Sequence, residues 1–268
     1  MSDGLYLYCI LNSPKEFKIN LLGIDGLHQP YVIPYQEVGI LVSKISLNDF
    51  SQRELERKIR NLEWLYEKAN RHEMIVEEAM EWTSVIPIIF GTIFEEETTL
   101  KKSIHRSLPE IKKTFKVIKG HEEWGLKLYC DFLELRDNLV NLSSEVKKIE
   151  ERLHNSNEET ANFLKRRLEM ELDNRLEDKA LEVMEEIYES LATIATKSQL
   201  NELLEVEIID DDKPMILNSV YLVKKDDLSS FIFRLKELED KYSGFGFYFY
   251  YSGPWPPYNF SHLEFNDS

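Results

Sequence analysis

The chain has 268 residues, 43% of them hydrophobic, enough to bury one large core or two ordinary ones. Its 49 acidic and 33 basic residues leave a net charge of −16 at pH 7. Such a surface repels phosphate backbones and anionic bilayers, and the densest basic run, Lys165-Arg166-Arg167, is flanked by acidic residues. Neither a nucleic acid nor a lipid membrane is therefore expected as a partner. The most apolar stretch, Val85–Phe94, contains Pro87 and Gly91 and spans 10 residues, about half of what a membrane helix needs. No basic region precedes an apolar stretch at the N-terminus, so the expected location is the cytoplasm. Cys9 and Cys130 lie in apolar, strand-like runs without metal-ligand spacing, which reads as two buried, reduced thiols.

In chain order, Leu5–Leu11 reads as a buried strand and Gly23, Asp25 and Gly26 as a loop. Tyr31–Ile33 and Val38–Ile45 form a hairpin. Ser51 followed by Glu54 has the pattern of a capping box. Behind it, a stripe through Leu55, Ile59, Leu62, Ala69, His72, Val76 and Ala79 predicts one amphipathic helix from about Gln52 to Trp82. Short strands follow around Pro87 and Gly91, then a helix from about Glu96 to Phe115. Gly120 marks a break. The domains expected are residues 1–119 and 120–268.

In the second half, Trp124–Leu133 is a strand candidate. Leu139, Leu142, Val146, Ile149 and Leu153 form one helical stripe, and Leu164 to Ile194 form a second. With a polar turn at His154 to Asn157 between them, they predict an antiparallel helical hairpin over about 137–197. Strands Leu203–Ile209 and Met215–Val223 flank a turn at Asp210 to Pro214. A helix from Asp226 to about Tyr242 follows, ended by Gly244, and then a strand Phe245–Tyr251. Residues 253–268 form an aromatic, proline-rich tail unsuited to a helix or central strand. The fold class expected is α+β in two domains, the second ferredoxin-like (βαββαβ) with the helical hairpin in place of its first helix.

A search for chemistry returns little. There is no GxxxxGK[ST] or GxGxxG loop, HExxH motif, Glu-x-x-His pair or GxSxG elbow. His72 falls on the apolar stripe and reads as a hydrogen-bonded core residue, with Glu73, Glu77 and Glu78 on the solvated side of the helix. Asp210–Asp212 reads as a solvated turn. No catalytic residue, cofactor, metal or small-molecule substrate is expected, and the chain is not expected to be an enzyme. The features that stand out are surfaces, namely the charged hairpin and the aromatic tail.

Several segments, in order, resemble the GvpF/GvpL family of gas vesicle proteins. They are Leu5-Tyr6-Leu7-Tyr8, Gly23-Ile24-Asp25-Gly26, Val38–Ser43, Trp64 to Val76 and Val85–Phe94 with its Phe90-Gly91-Thr92. Glu123–Lys127, Asn218–Val223 and Gly253-Pro254-Trp255-Pro256-Pro257-Tyr258-Asn259-Phe260 complete the series, and the last is the most specific. Ile88-Ile89 departs from the basic residue the family often carries there. The resemblance implies a two-domain α+β protein with a ferredoxin-like second domain and no enzymatic activity. It implies a role in gas vesicle formation, in the cytoplasm and associated with the vesicles. The implied partners are the small gas vesicle shell protein and other accessory proteins, and the implied role is assembly factor, chaperone or minor shell component. Phe249, Tyr251, Trp255, Tyr258 and Phe260 are the candidate contacts, because aromatic side chains often dominate interfaces. Packing of the tail back onto its own domain is the alternative for Trp255. A small-molecule-binding regulatory protein is the alternative function, on fold analogy.

Overall fold

The computed structural model describes residues 3–13, 15, 17–142, 158–203, 213–263 and 265. The chain divides into two units, one of residues 1–123 with 254–268, the other of residues 124–253. The tail therefore groups with the first unit, whereas the sequence placed it with the second domain. The reason lies in polar groups far apart in the chain, described below with the site.

In the first unit, strand β1 (Asp3–Leu11) is buried at every position after Asp3. A strand with both faces covered needs no polar alternation, which explains its unbroken apolar run. It pairs antiparallel with β3 (Val38–Ser46), and β2 (Tyr31–Tyr35) pairs with β3. Along its other edge β1 pairs with β4 (Val85–Pro87) and with β5 (Ile93–Phe94), giving the order β2-β3-β1-β4 with β5 beside β1.

The single helix expected from Gln52 to Trp82 is three helices: α1 (Leu47–Phe50), α2 (Gln52–Lys58) and α3 (Leu62–Met80). Ser51 caps α2 by accepting from the Glu54 amide, as its spacing predicts. Glu54 does not close the capping box; its carboxylate bonds Arg57 at 2.8 Å. The break at residues 59–61 follows from Asn61, whose side chain accepts from the Trp64 amide and starts α3 afresh. Ile75, Val76 and Ala79 of α3 join Tyr6, Tyr8 and Leu11 of β1 in one core. Helix α4 (Glu97–Ile118) buries Leu100, Ile104, Leu108, Ile111 and Phe115 at spacings of three and four, and packs on β4 and β5.

The second unit runs β6 (His121–Cys130, beginning in the first unit), α5 (Phe132–Leu142), α6 (Glu158–Ala192), β7 (Lys197–Leu200), β8 (Met215–Lys224), α7 (Leu228–Tyr242) and β9 (Phe247–Trp255). The sheet order is β7-β8-β6-β9. Strand β9 lies at its edge, where Pro254 removes no ladder bond from a central strand. Helix α6 buries Leu176, Ala180, Val183, Ile187 and Leu191 against Tyr221, Phe231 and Phe247, and its Leu168 and Leu172 meet Val140 of α5. The expected turn at 154–157, the stripe residues Val146, Ile149 and Leu153, and the turn at 210–212 lie outside the described residues. So does all of the expected strand Leu203–Ile209 except Leu203; among the described residues β8 is flanked by β6 and by β7, Lys197–Leu200, which precedes that expected strand.

Gly246, not Gly244, carries the left-handed backbone after α7, with φ +91°. The Asp131 amide donates to the Gly246 carbonyl at 2.8 Å. The Asp131 side chain caps α5 by accepting from the amides of Leu133 and Glu134, each at 3.0 Å. A Cβ on Gly246 would meet the Asp131 carbonyl oxygen at 2.8 Å and the Leu135 amide nitrogen at 3.1 Å. Gly246→Ala therefore lowers stability by roughly 1–3 kcal/mol. At Gly244 a Cβ meets nothing, and Gly244→Ala changes stability by less than about 0.5 kcal/mol. Urea unfolding of the two variants checks the contrast.

Candidate functional site

Two apolar strand positions that carry hydroxyls, Tyr6 and Tyr8, organise the first unit. Both rings are fully buried. The Tyr6 hydroxyl accepts from the Gly91 amide at 3.0 Å and lies 3.0 Å from His72 Nδ1. The tautomer of the imidazole decides which of the two groups donates in that bond. Burial pushes the His72 pKa down to about 4, and the Ile88 backbone acts in the opposite sense. Nε2 is buried without a partner of standard hydrogen-bond geometry. The Tyr8 hydroxyl accepts from the Ile24 amide at 2.7 Å and bonds Ser43 Oγ at 2.8 Å. His72 is thus the hydrogen-bonded core residue expected of its place in the stripe.

The tail is anchored by two carboxylates. Tyr258 donates to Glu73 Oε2 at 2.9 Å. The Asn259 amide and side-chain Nδ2 donate to the two oxygens of Glu123 at 3.1 and 2.7 Å. Pro256 and Pro257 are buried, and the Pro257 carbonyl accepts from Ser261 Oγ at 2.5 Å. Glu123 is 3% exposed. Burial pushes its pKa up to about 7, against the two bonds from Asn259 and with the neighbouring Glu73 charge adding to the rise. Burial likewise raises the Glu73 pKa, opposed by the bond from Tyr258. Glu73 is therefore partly enclosed and bonded, where the sequence placed it on the solvated side of the helix. Nothing local in the sequence marks Glu73 or Glu123 as tail anchors, since their partners lie over a hundred residues away.

The candidate contact residues separate by unit. Phe249 is buried at 9% exposure in the core of the second unit, and Tyr251 packs against that core, so Phe249 offers a partner little surface. In the first unit Tyr258 is held by Glu73 and Phe260 is half-buried. Trp255 is the most open of the five, at 40%.

Beside the tail, the first unit carries an open groove of roughly 940 Å³. Its walls include Phe50, Ile88, Ile89 and Ile93, with Leu263 and Phe265 of the tail, and its mouth carries Glu95 and Glu96. The Phe265 ring stands edge-on to Phe94, centroids 5.8 Å apart. The groove is shaped by the turn at Gly91, whose φ of +88° favours glycine and whose amide Tyr6 holds. Sequence reasoning singled out this Phe-Gly-Thr segment but not the groove, because the wall from the tail is non-local. Among the described residues, no group of His, Cys, Asp and Glu could hold a metal ion, and no helix is long and apolar enough to cross a membrane.

Residues 4–262 match the family described as gas vesicle synthesis protein GvpL/GvpF. Gas vesicle protein F1 of Halobacterium salinarum is 22% identical over 263 residues, covering 97% of this chain and 93% of that protein. Gas vesicle protein L of a Streptomyces species is 20% identical, covering 91% of this chain and 87% of that one. Crystal structures of the gas vesicle protein GvpF from Anabaena and from Microcystis aeruginosa share the fold. Their TM-scores are 0.72 and 0.65, at 18% and 20% identity, over 98% and 97% of this chain and 100% and 99% of theirs. The chain belongs to the GvpL/GvpF family of gas vesicle proteins.

Two outcomes test the site. Tyr6→Phe strands the Gly91 amide and His72 Nδ1 together, and lowers the stability of the first unit by roughly 1–3 kcal/mol in denaturant unfolding. The folded pKa of Glu123, about 7, lies above the ordinary carboxyl value of 4.5. The stability it contributes is therefore complete below about pH 4.5 and is lost as pH rises through about 7. The wild-type protein accordingly loses more stability between pH 5 and pH 8 than Glu123→Gln does. A change equal in both would remove Glu123 as the titrating group.

Proposed function

We propose that this chain is a non-enzymatic accessory factor of gas vesicle formation that binds the small shell protein. It acts in the cytoplasm and on the growing vesicle, as assembly chaperone or minor shell component, together with other accessory proteins. The observation that carries this reading is the family match from residue 4 to residue 262. A second unit of ferredoxin-like type belongs to the same reading. Its element order, β6-α5-α6-β7-β8-α7-β9, and its sheet order, β7-β8-β6-β9, support it.

A physical reason for an escort lies in the shell protein's task. A subunit that must present an apolar face to gas exposes that face to aggregation before assembly. A carrier with a net charge of −16 keeps such complexes dispersed by mutual repulsion. Trp255 is the first contact to test, being the most exposed of the candidate aromatic residues.

The test is co-expression with the small shell protein and affinity capture of this chain, alongside isolation of vesicles washed with denaturant. Capture from soluble extract with absence from washed vesicles identifies a chaperone. Retention on washed vesicles identifies a shell component. Absence of both capture and retention overturns shell binding altogether. Trp255→Ala reduces capture by about tenfold, the loss usual for one interface aromatic. Undiminished capture by a folded variant removes Trp255 from the contact.

A further inference from the structure

The groove of the first unit combines three properties that together define an occupant. Aliphatic and aromatic side chains form much of its wall, polar atoms make up the larger part of its accessible lining, and Ile89 stands 56% exposed at its surface. An isoleucine so open is stabilised by an apolar cover, since roughly 25 cal/mol is gained per Å² removed from water. Its mouth is acidic and unneutralised. Glu97 is paired with Lys101 at 2.6 Å, but Glu95 has no hydrogen bond or ion pair among the described residues. The Glu96 side chain accepts one bond, from Thr98 Oγ1 at 2.8 Å, and has no cation partner among them. No lysine, arginine or histidine lines the groove among the described residues.

The third property is preorganisation. Strand β5 is paired to β1 through Leu5–Phe94 and Tyr6–Ile93, and the adjoining turn is held at Gly91 by Tyr6. Binding there orders little that is not already ordered, which limits its entropic cost. Two open carboxylates in the lining of the cleft repel an acidic segment and leave a neutral one without electrostatic complement. They attract a segment whose apolar residues enter the cleft while its cations stay at the rim.

We propose that this groove docks a basic amphipathic segment of the small shell protein, its apolar side chains over Ile89 and Ile93 and its cations facing Glu95 and Glu96. The proposal rests on the reading that the chain binds that protein, and adds where and through what chemistry.

Overlapping synthetic peptides tiled across the shell protein, labelled for fluorescence anisotropy, are titrated with the full-length chain. The variants are Ile89→Asp and the double change Glu95→Lys with Glu96→Lys. Asp226→Lys with Asp227→Lys, at exposed positions of the second unit, is the control of equal charge change, and circular dichroism verifies folding. The expected result is that a net-positive tile binds, weakens with salt, and loses at least about tenfold in affinity to each groove variant but not to the control. If tiles bind groove variants and wild type alike, or if only neutral or acidic tiles bind, the groove assignment is overturned. If no tile binds while the intact shell protein is captured equally by wild type and groove variants, the groove is again overturned and shell binding stands. Failure of the wild-type chain to capture the intact shell protein brings down both.

Discussion

The Tyr6 hydroxyl is where the first unit is tied together. It sits on strand β1, accepts from the Gly91 amide in the turn before β5, and shares a hydrogen bond with His72 of α3. Strand, turn and helix thus meet at one buried oxygen. Burial among Tyr6, Tyr8 and Phe90 opposes protonation of that imidazole. Replacement of this arrangement by apolar contacts alone would keep the core filled but leave the Gly91 amide without its acceptor, and the turn would rest on backbone bonds such as that from Leu7 to Thr92. The conformational demand for Gly91 and the chemical demand for Tyr6 are therefore two sides of one constraint.

The tail solves a related problem at greater electrostatic cost. A carboxyl group as enclosed as Glu123 resists ionisation, and the nearby Glu73 adds to the resistance. What offsets this is the fork made by the Asn259 amide and side chain, two donors reaching the two oxygens of one carboxyl. Burial still outweighs them, since the pKa remains above its ordinary value. The gain is positional: Tyr258 and Asn259 hold residues 258 and 259, and the chain beyond them continues to Leu263 and Phe265 in the wall of the groove. The anchors and the groove are consequently one construction.

Much of this was legible residue by residue. The covered strand Leu5–Leu11, the Ser51 cap and the buried His72 followed from composition and spacing, because each is decided by neighbours within a few residues. The helix break at 59–61 was hidden because Leu55, Ile59 and Leu62 continue the apolar period across it without glycine or proline. The cap at Asn61 overrode that period. Strand β7, Lys197–Leu200, has neither alternation nor a β-branched run, and exists through its pairing with β8. The tail was assigned by proximity in sequence, yet its polar partners are Glu73 and Glu123. Such long-range pairs leave no periodic signature, so neither they nor the groove could be read in advance.

The charge of the chain acquires a different meaning once it is located. A net −16 spread over the surface explains dispersal but specifies nothing about where a partner binds. Many of the carboxylates near the first unit are already engaged: Glu67 with Lys68 and Arg71, Glu97 with Lys101, Glu54 with Arg57. Glu95 and Glu96 are not engaged with any cation among the described residues, and they line the groove beside the exposed Ile89. Exposed charge in bulk water contributes little free energy, but beside an apolar surface that a partner covers, the local dielectric falls and each unpaired charge counts for more. A bound apolar segment would therefore convert two weak surface charges into strong determinants of what else that segment may carry. Selectivity at this site then comes less from attraction to cations than from exclusion of any partner that cannot neutralise the pair.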